Sequence, residues 1–376
     1  MPTPLLFLRS VMHCVACLVL CAVFNLSHAG SVKVAFINPD RPGNPFWDQV
    51  NTVMQAAADD LDLELQIVFA EEDRYQSIHL LKELITSGNK PDYLVFMFQH
   101  GAGLKLLRLA EQEQIRSIMI NTDIPSEWQD KVGAPRQHFK HWLGHLHPDD
   151  QLAGQLLMDT LAEQAASALP AKPQRGVVAL SGSHDSSAAQ KRNQGLQESL
   201  QNQPNLTLNQ LVFSQWRADL ASQQAARLLT RYPQSQILWA ASDQMALAAA
   251  HELQLDGIQP GKDILLGGID WTPAGIKAMR EGLLHASVGG HFAEGAWALV
   301  LIHDYHHGHD FADLGLEFLT PMAVMTPANQ DLFEPTLSTG NWQPFHFRQL
   351  LRSHHPKRRY EFSLQAILAT AAASAP

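Results

Sequence analysis

The sequence predicts two successive doubly wound α/β lobes, each a parallel sheet with helices on both faces. Three observations carry this. Short apolar runs bounded by turn residues alternate with stretches of helical period from residue 31 to residue 305, the pattern of parallel strands and crossover helices. The alternation breaks once, over 126–147, and then resumes as a second series of similar size. The length of 376 residues also suits two domains better than one.

The first unit sets the pattern. Val32, Val34, Phe36 and Ile37 form a buried-strand run that stops at Asn38-Pro39-Asp40-Arg41-Pro42-Gly43. Apolar residues then recur at Phe46, Val50, Val53, Met54, Ala57 and Leu61, a helical period. Asn44 suits the N-cap and Pro45 the first helical position. Strands follow at 63–69, 91–97 and 117–120, with helices at 75–87 and 104–114 between them. Residues 126–147, rich in His, Lys and Trp, show no clear period. A helix starting at Pro148-Asp149-Asp150 opens the second series. Its strands are expected at 177–180, 206–213, 236–239, 264–269 and 285–288, and its helices at 188–200, 219–230, 244–253, 273–281 and 293–305. Beyond Asn329 the pattern weakens, and 369–376 reads as a frayed end.

Composition excludes several classes. With 27 Lys+Arg against 37 Asp+Glu and a net charge of −10, the chain lacks the basic face that a nucleic-acid partner requires. Arg9 is the only charge before a long apolar segment, and Ser27-His28-Ala29 ends that segment with small residues. Residues 1–29 therefore read as a secretory signal peptide cleaved after Ala29, so that the chain is exported. The apolar stretch is short for an uncleaved membrane anchor. Lipidation at Cys17 or Cys21 lacks the usual preceding pattern. All three cysteines, Cys14, Cys17 and Cys21, lie in this leader, so the mature chain is expected to have no disulfide, thiol catalysis or cysteine metal site.

In open parallel sheets, ligands bind beyond the carboxyl ends of the strands. The first series presents Asn44, Phe46 and Trp47 there, then Gln99, then Asn121, Thr122 and Asp123. The second presents Ser183 to Ser187 with Arg192 just inside the helix, then Trp216, Ser242 and Asp243, and Asp270-Trp271. Any one of these could be a packing residue or a helix cap. Their recurrence at one topological position points to recognition of a polyhydroxylated ligand. Aromatic rings cover the C–H faces of a sugar, carboxylates accept hydroxyl protons, and an arginine donates several bonds in fixed geometry.

Four stretches carry a resemblance that spans roughly 31–327: Asn44-Pro45-Phe46-Trp47, Ser187-Ala188-Ala189-Gln190-Lys191-Arg192, Ser242-Asp243-Gln244-Met245-Ala246-Leu247 and Gly268-Ile269-Asp270-Trp271-Thr272-Pro273. Together they resemble the type 1 periplasmic binding proteins, of the ribose-binding and lactose-repressor-core superfamily. The family's sugar-binding positions match Asn44, Phe46 and Trp47 in the first lobe, and Asp150, Arg192, Trp216, Ser242 and Asp270 in the second. Asn121-Thr122 stand where the ribose-binding pattern has Asp-Arg, and Ser242 where it has Asn. A Gln is missing near Gly290, where the adjacent His291 could take a polar role. These departures speak against ribose itself.

The resemblance implies two lobes of the periplasmic-binding-protein-like I fold, joined by three chain crossings near 146–147, 289–290 and 320–321. The first lobe would be 30–147 with 291–319, the second 148–290 with 320–330, and 331–376 a C-terminal extension. Binding proteins of this kind do no chemistry; closure on ligand is the output that a membrane partner reads. The expected ligand is a sugar or polyol, and the expected partner the permease of an ABC importer. The alternative is presentation to a sensor histidine kinase or diguanylate cyclase, because the tail is longer than in simple sugar-binding relatives and is similar to those of the autoinducer-2 receptor and kinase-partnered proteins. A monomer without cofactor is expected.

Rival chemistries fit less well. The first strand leads into Asn38-Pro39-Asp40-Arg41-Pro42-Gly43-Asn44 rather than a dinucleotide Gly-x-Gly-x-x-Gly. Ser181-Gly182-Ser183-His184-Asp185 holds hydrolase residue types, but neighbours on one short loop cannot form a triad, and no Gly-x-Ser-x-Gly elbow is present there. A transcription regulator would need a DNA-reading helix pair where the leader stands. Nineteen histidines raise the question of metal. His303 and His307 share a helical face, yet imidazoles there also complement a helix C-terminus that Gly308 would end. His138, His141, His145 and His147 read as surface or hinge residues. No metal site is expected.

Overall fold

The computed structural model describes residues 31–354 and 359–372; the predicted leader 1–29 and residues 373–376 lie outside them. The first sheet combines β1 (Val32–Asn38), β2 (Leu63–Phe69), β3 (Tyr93–Met97), β4 (Arg116–Ile120), β5 (Trp142–Pro148) and β11 (Glu317–Thr320) in the order β11-β5-β4-β3-β1-β2. The second combines β6 (Arg175–Ser181), β7 (Leu206–Phe213), β8 (Ser235–Ala240), β9 (Leu265–Ile269), β10 (Ala286–Gly289) and β12 (Ala323–Met325) as β12-β10-β9-β8-β6-β7. The two orders are the same. Both sheets are mostly parallel, with Val34 beside Tyr93 across β1 and β3; the short β12 runs antiparallel to β10. Each order reverses direction once, at β1/β3 and at β6/β8, and such reversals open the crevices where ligands bind.

Helices α1 (Pro45–Asp60), α2 (Gln76–Thr86), α3 (Gly103–Gln112) and α4 (Ser126–Val132) belong to the first series. Helices α5 (Asp150–Ala168), α6 (Ser187–Gln201), α7 (Ala218–Arg231), α8 (Asp243–Leu255) and α9 (Pro273–Arg280) belong to the second. Side-chain caps start many of them where expected: the Asn44 oxygen accepts from the Phe46 and Trp47 amides, and Asp149 accepts from Leu152. Helix α10 (Glu294–His306) is buried along nearly its whole length and packs on α1, returning the chain to the first sheet. The chain thus passes between the sheets after β5, after β10 and between β11 and β12.

Two stretches differ from the sequence reading. Residues 126–147 hold α4 and most of β5, an inner strand one in from the edge of the first sheet. The strand escaped notice because its buried positions include Gly144 and His145, the latter only 1% exposed, so apolar alternation is lost. The tail is also ordered. Helices α11 (Glu334–Thr339) and α12 (Leu364–Ala372) lie in it, so Ala369 to Ala372 end a helix rather than fray. Trp342 meets Phe292 at a tilt, and Phe362 stacks on Trp297. The Asp304 carboxylate accepts from the Arg352 and Ser353 amides and the Tyr360 hydroxyl, at 2.7, 3.2 and 2.8 Å. These partners are aromatic and scattered, so no period announces them.

Candidate functional site

A cavity of about 780 Å³ lies between the carboxyl ends of the two sheets. Asp40, Asn44, Phe46, Trp47, Gln99 and Asn121 wall it from the first lobe. Ser183, Arg192, Trp216, Ser242 and Asp270 face them from the second, and His291 stands at the second crossing.

Arg192 organises the second wall. Helices α5 and α6 pack so closely that a Cβ on Gly154 would lie 2.0 Å from the Arg192 carbonyl oxygen, and this approach sets the guanidinium beside Asp150. Its Nε donates to Asp150 Oδ1 at 2.7 Å, and Nη1 donates to the Ala241 carbonyl at 2.7 Å. Nη1 also lies 3.5 Å from Asp270 Oδ1. Burial opposes the charge on this side chain, but Asp150 and Asp270 outweigh it and hold the arginine pKa above its ordinary value.

Nη2 donates to His291 Nε2 at 3.3 Å. Because arginine has no acceptor, Nε2 must carry the lone pair and the imidazole is neutral. Burial, reinforced by Arg192, accordingly lowers the His291 pKa to about 3. Asp270 runs the other way: burial raises it to about 7, with Arg192 pulling down and Asp150 adding repulsion.

Aromatic faces complete the walls. Phe46 stacks on His291 with ring centroids 4.7 Å apart and meets Trp47 edge-on at 5.1 Å. Trp216 lies under the Arg192 guanidinium at 5.6 Å. Its indole rests where a side chain on Gly182 would stand, since a Cβ there would come within 2.1 Å of the ring. The strand exits at the site are bent: Asn121, Gln215, Trp216, Asp270 and Trp271 all have positive φ between 54° and 136°. Such conformations are costly for non-glycine residues and cluster at ligand clamps.

The mouth is bridged between lobes. Arg74 Nη1 donates to Asp185 Oδ2 at 2.6 Å, the Ser187 hydroxyl donates to the Asp123 carbonyl at 2.7 Å, and Lys191 pairs with the Asp123 carboxylate.

The profile of the Periplasmic binding protein domain family matches residues 34–309, most of the chain and both lobes. The chain belongs to the periplasmic binding proteins. The ribose import binding protein of Salmonella typhimurium is 27% identical over 246 residues, which is 65% of this chain and 75% of that one. The galactofuranose-binding protein of Escherichia coli is 31% identical over 147 residues, 37% and 43% of the two chains. A solved periplasmic sugar-binding protein from Pseudomonas fluorescens superposes with a TM-score of 0.80 at 32% identity, covering 90% of this chain and 99% of that one.

In this periplasmic binding protein, nine of the ten expected ligand residues line the cavity: Asn44, Phe46, Trp47, Asn121, Arg192, Trp216, Ser242, Asp270 and His291. Asp150 does not; it is 1% exposed and reaches the cavity only through Arg192. Two of the nine are partly committed elsewhere. The Asn44 oxygen caps α1 while its amide donates to Asp40 at 2.8 Å, and the Ser242 hydroxyl caps α8. Asp243 turns from the cavity to accept from Ser287 and Thr272. The sequence reading missed Asp40, Arg74 and His100 on the wall. Asp40 and His100 sit on strand-exit loops already singled out, but the Arg74–Asp185 pair spans 111 positions and leaves no local signal.

Proposed function

We propose that this protein is exported to the periplasm, captures a monosaccharide or closely related polyol between its lobes, and delivers it to an ABC importer. The observation that carries the reading is the Arg192–Asp270–His291 cluster beside Phe46, Trp47 and Trp216, in a cavity that both lobes must close. Asp270 supplies a buried acceptor for ligand hydroxyls. Arg192 has five N–H donors; Asp150, Ala241, His291 and Asp270 engage four, and the remaining Nη2 hydrogen is left for a ring or hydroxyl oxygen of the ligand. Phe46, Trp47 and Trp216 offer the flat apolar faces that cover sugar C–H groups. Of the ten residues assigned to binding, Asp150 acts by holding Arg192, and the other nine meet the ligand or shape the wall.

On this reading the lobes are 30–147 with 291–319, and 148–290 with 320–330, with 331–376 as a C-terminal extension; the presence of two six-stranded sheets supports the division. The ligand favours closure because it bonds to both lobes, and the closed surface engages the permease. Its role is capture without covalent chemistry, by a monomer. The named relatives include import binding proteins, which favours the importer over a sensor kinase or cyclase.

The test is a calorimetric and thermal-shift screen of the mature chain against aldopentoses, aldohexoses in pyranose and furanose forms, and cyclic polyols. A micromolar binder whose binding is lost in Asp270→Ala is the expected result. No response to any member of the panel would sink the ligand class; binding without uptake of the labelled compound through the cognate permease would sink the transport role.

A further inference from the structure

Behind the cavity wall lies a second cluster that the sugar-binding reading does not use. His145 and His147 stand two apart on β5, so their side chains share one face of the sheet, and their ring centroids are 4.9 Å apart. Asp123, at the exit of β4, joins them. One ligand atom from each of the three lies within 4.8 Å of the others. Among the described residues this is the one group of three such side chains so assembled; His303 and His307, which the sequence makes conspicuous, stack on each other without a third partner of this kind.

The proton arrangement suits a metal. His145 Nε2 donates to the Thr122 carbonyl at 2.8 Å, which leaves the Nδ1 lone pair free of a proton. A metal-ligating histidine is oriented by this kind of bond to a backbone carbonyl. Nδ1 of His147 is buried without a hydrogen-bond partner, an expensive arrangement unless something occupies it. The Asp123 carboxylate is held by the Lys191 ammonium, so a polar partner already competes for it.

We propose that Asp123, His145 and His147 bind a divalent transition-metal ion of the Zn²⁺ type, in competition with Lys191 for the Asp123 carboxylate. Two imidazoles and one carboxylate make a borderline ligand set that suits Zn²⁺, and three protein ligands leave a position for water. Ca²⁺ and Mg²⁺ require oxygen-rich shells and do not fit. Lys191 comes from α6 of the second lobe, and its pairing with Asp123 crosses between the lobes. Metal on Asp123 therefore displaces a contact of the closed form. The ion and the lysine are alternative occupants of one carboxylate, and the ion favours an opened arrangement.

The probe is Co²⁺, titrated into the chelator-stripped full chain and followed by its visible ligand-field bands, with Zn²⁺ as competitor. One Co²⁺ per chain, displaced by Zn²⁺, is expected. His147→Gln and Asp123→Asn should each weaken binding at least about ten-fold, while Lys191→Gln should bind several-fold more tightly. His303→Gln/His307→Gln should match the wild type. Thermal unfolding of each metal-free variant establishes that it is folded, and the half-buried His147 and Asp123 are chosen over the fully buried His145 for that reason. The inference is overturned if neither wild type nor Lys191→Gln takes up Co²⁺. It is equally overturned if binding survives His147→Gln, is lost in the His303/His307 variant, or is no tighter in Lys191→Gln.

Discussion

Glu294 offers a test of the energetics at the crossing between lobes. It begins α10, is 1% exposed, and accepts from the Asn121 amide at 2.6 Å through Oε2, while Oε1 is buried without a hydrogen-bond partner. Burial raises its pKa from 4.5 to about 8, against the pull of the nearby Thr320 side chain and of the Asn121 amide. A carboxyl whose pKa is raised by folding contributes stability that is complete below its unfolded value and is lost as pH rises through the folded one. Applied to Glu294, the loss between pH 5 and pH 7.5 is about 3 kcal/mol, because each pH unit between the unfolded and folded values removes ~1.4 kcal/mol.

The whole protein does not display this slope cleanly. Asp243 and Asp270, both raised to about 7, lose stability over the same window. His291, lowered to about 3, acts oppositely, because it loses stability as pH falls below the ordinary histidine value. Glu294→Gln isolates the one group. The amide resembles the protonated acid, so the variant should lie within about 1 kcal/mol of the wild type at pH 5 and gain about 3 kcal/mol more on it by pH 7.5. Urea unfolding of both chains at pH 5.0, 6.0 and 7.5 measures the difference. A difference that changes by less than about 1 kcal/mol across that range would refute the buried, protonated Glu294.

Three further outcomes follow from the site. Asp270→Ala should cost about 2–4 kcal/mol of sugar affinity, because ligand donors lose a buried charged acceptor; unchanged affinity by calorimetry removes Asp270 from the contact set. Arg74→Ala should weaken binding only about two-fold, since the Arg74 and Asp185 side chains are 37% and 41% exposed, and the effect should vanish in 1 M salt. A ten-fold, salt-independent loss would mean that Arg74 touches ligand. Gly154→Ala should destabilise the fold by about 1–3 kcal/mol or more, because its methyl meets the Arg192 backbone, and should weaken sugar binding alongside. Wild-type stability in urea would show that α5 and α6 do not pack as closely as described.

The alternation of apolar runs and helical periods sufficed for the two-lobe class and for most elements. Residues 63–69 and 206–213 were readable as strands to the residue, because β2 and β7 interleave apolar and polar residues before a short apolar end. Elements whose residues are chosen by tertiary surroundings were not readable. His145 is satisfied within β5 because the Thr122 carbonyl, on a neighbouring strand exit, accepts a hydrogen bond from its Nε2–H, and no local pattern announces a satisfied histidine. The tail aromatics Trp342 and Phe362 find partners at Phe292 and Trp297, too far away in sequence for any periodicity to reveal.

The site divides in the same way. By itself the sequence determined which residue types stand at the strand exits, since strand ends are marked by local turn chemistry; Asn44, Phe46, Trp47, Trp216 and Asp270 were found so. Only the tertiary structure decided what each of them does. It turned Asp150 from the wall to the back of Arg192, committed the Asn44 oxygen to a helix cap, and joined Arg74 to Asp185 across the mouth. Composition along a chain is local information, whereas burial, the direction of a proton and the distance between two charges depend on residues brought together from far apart.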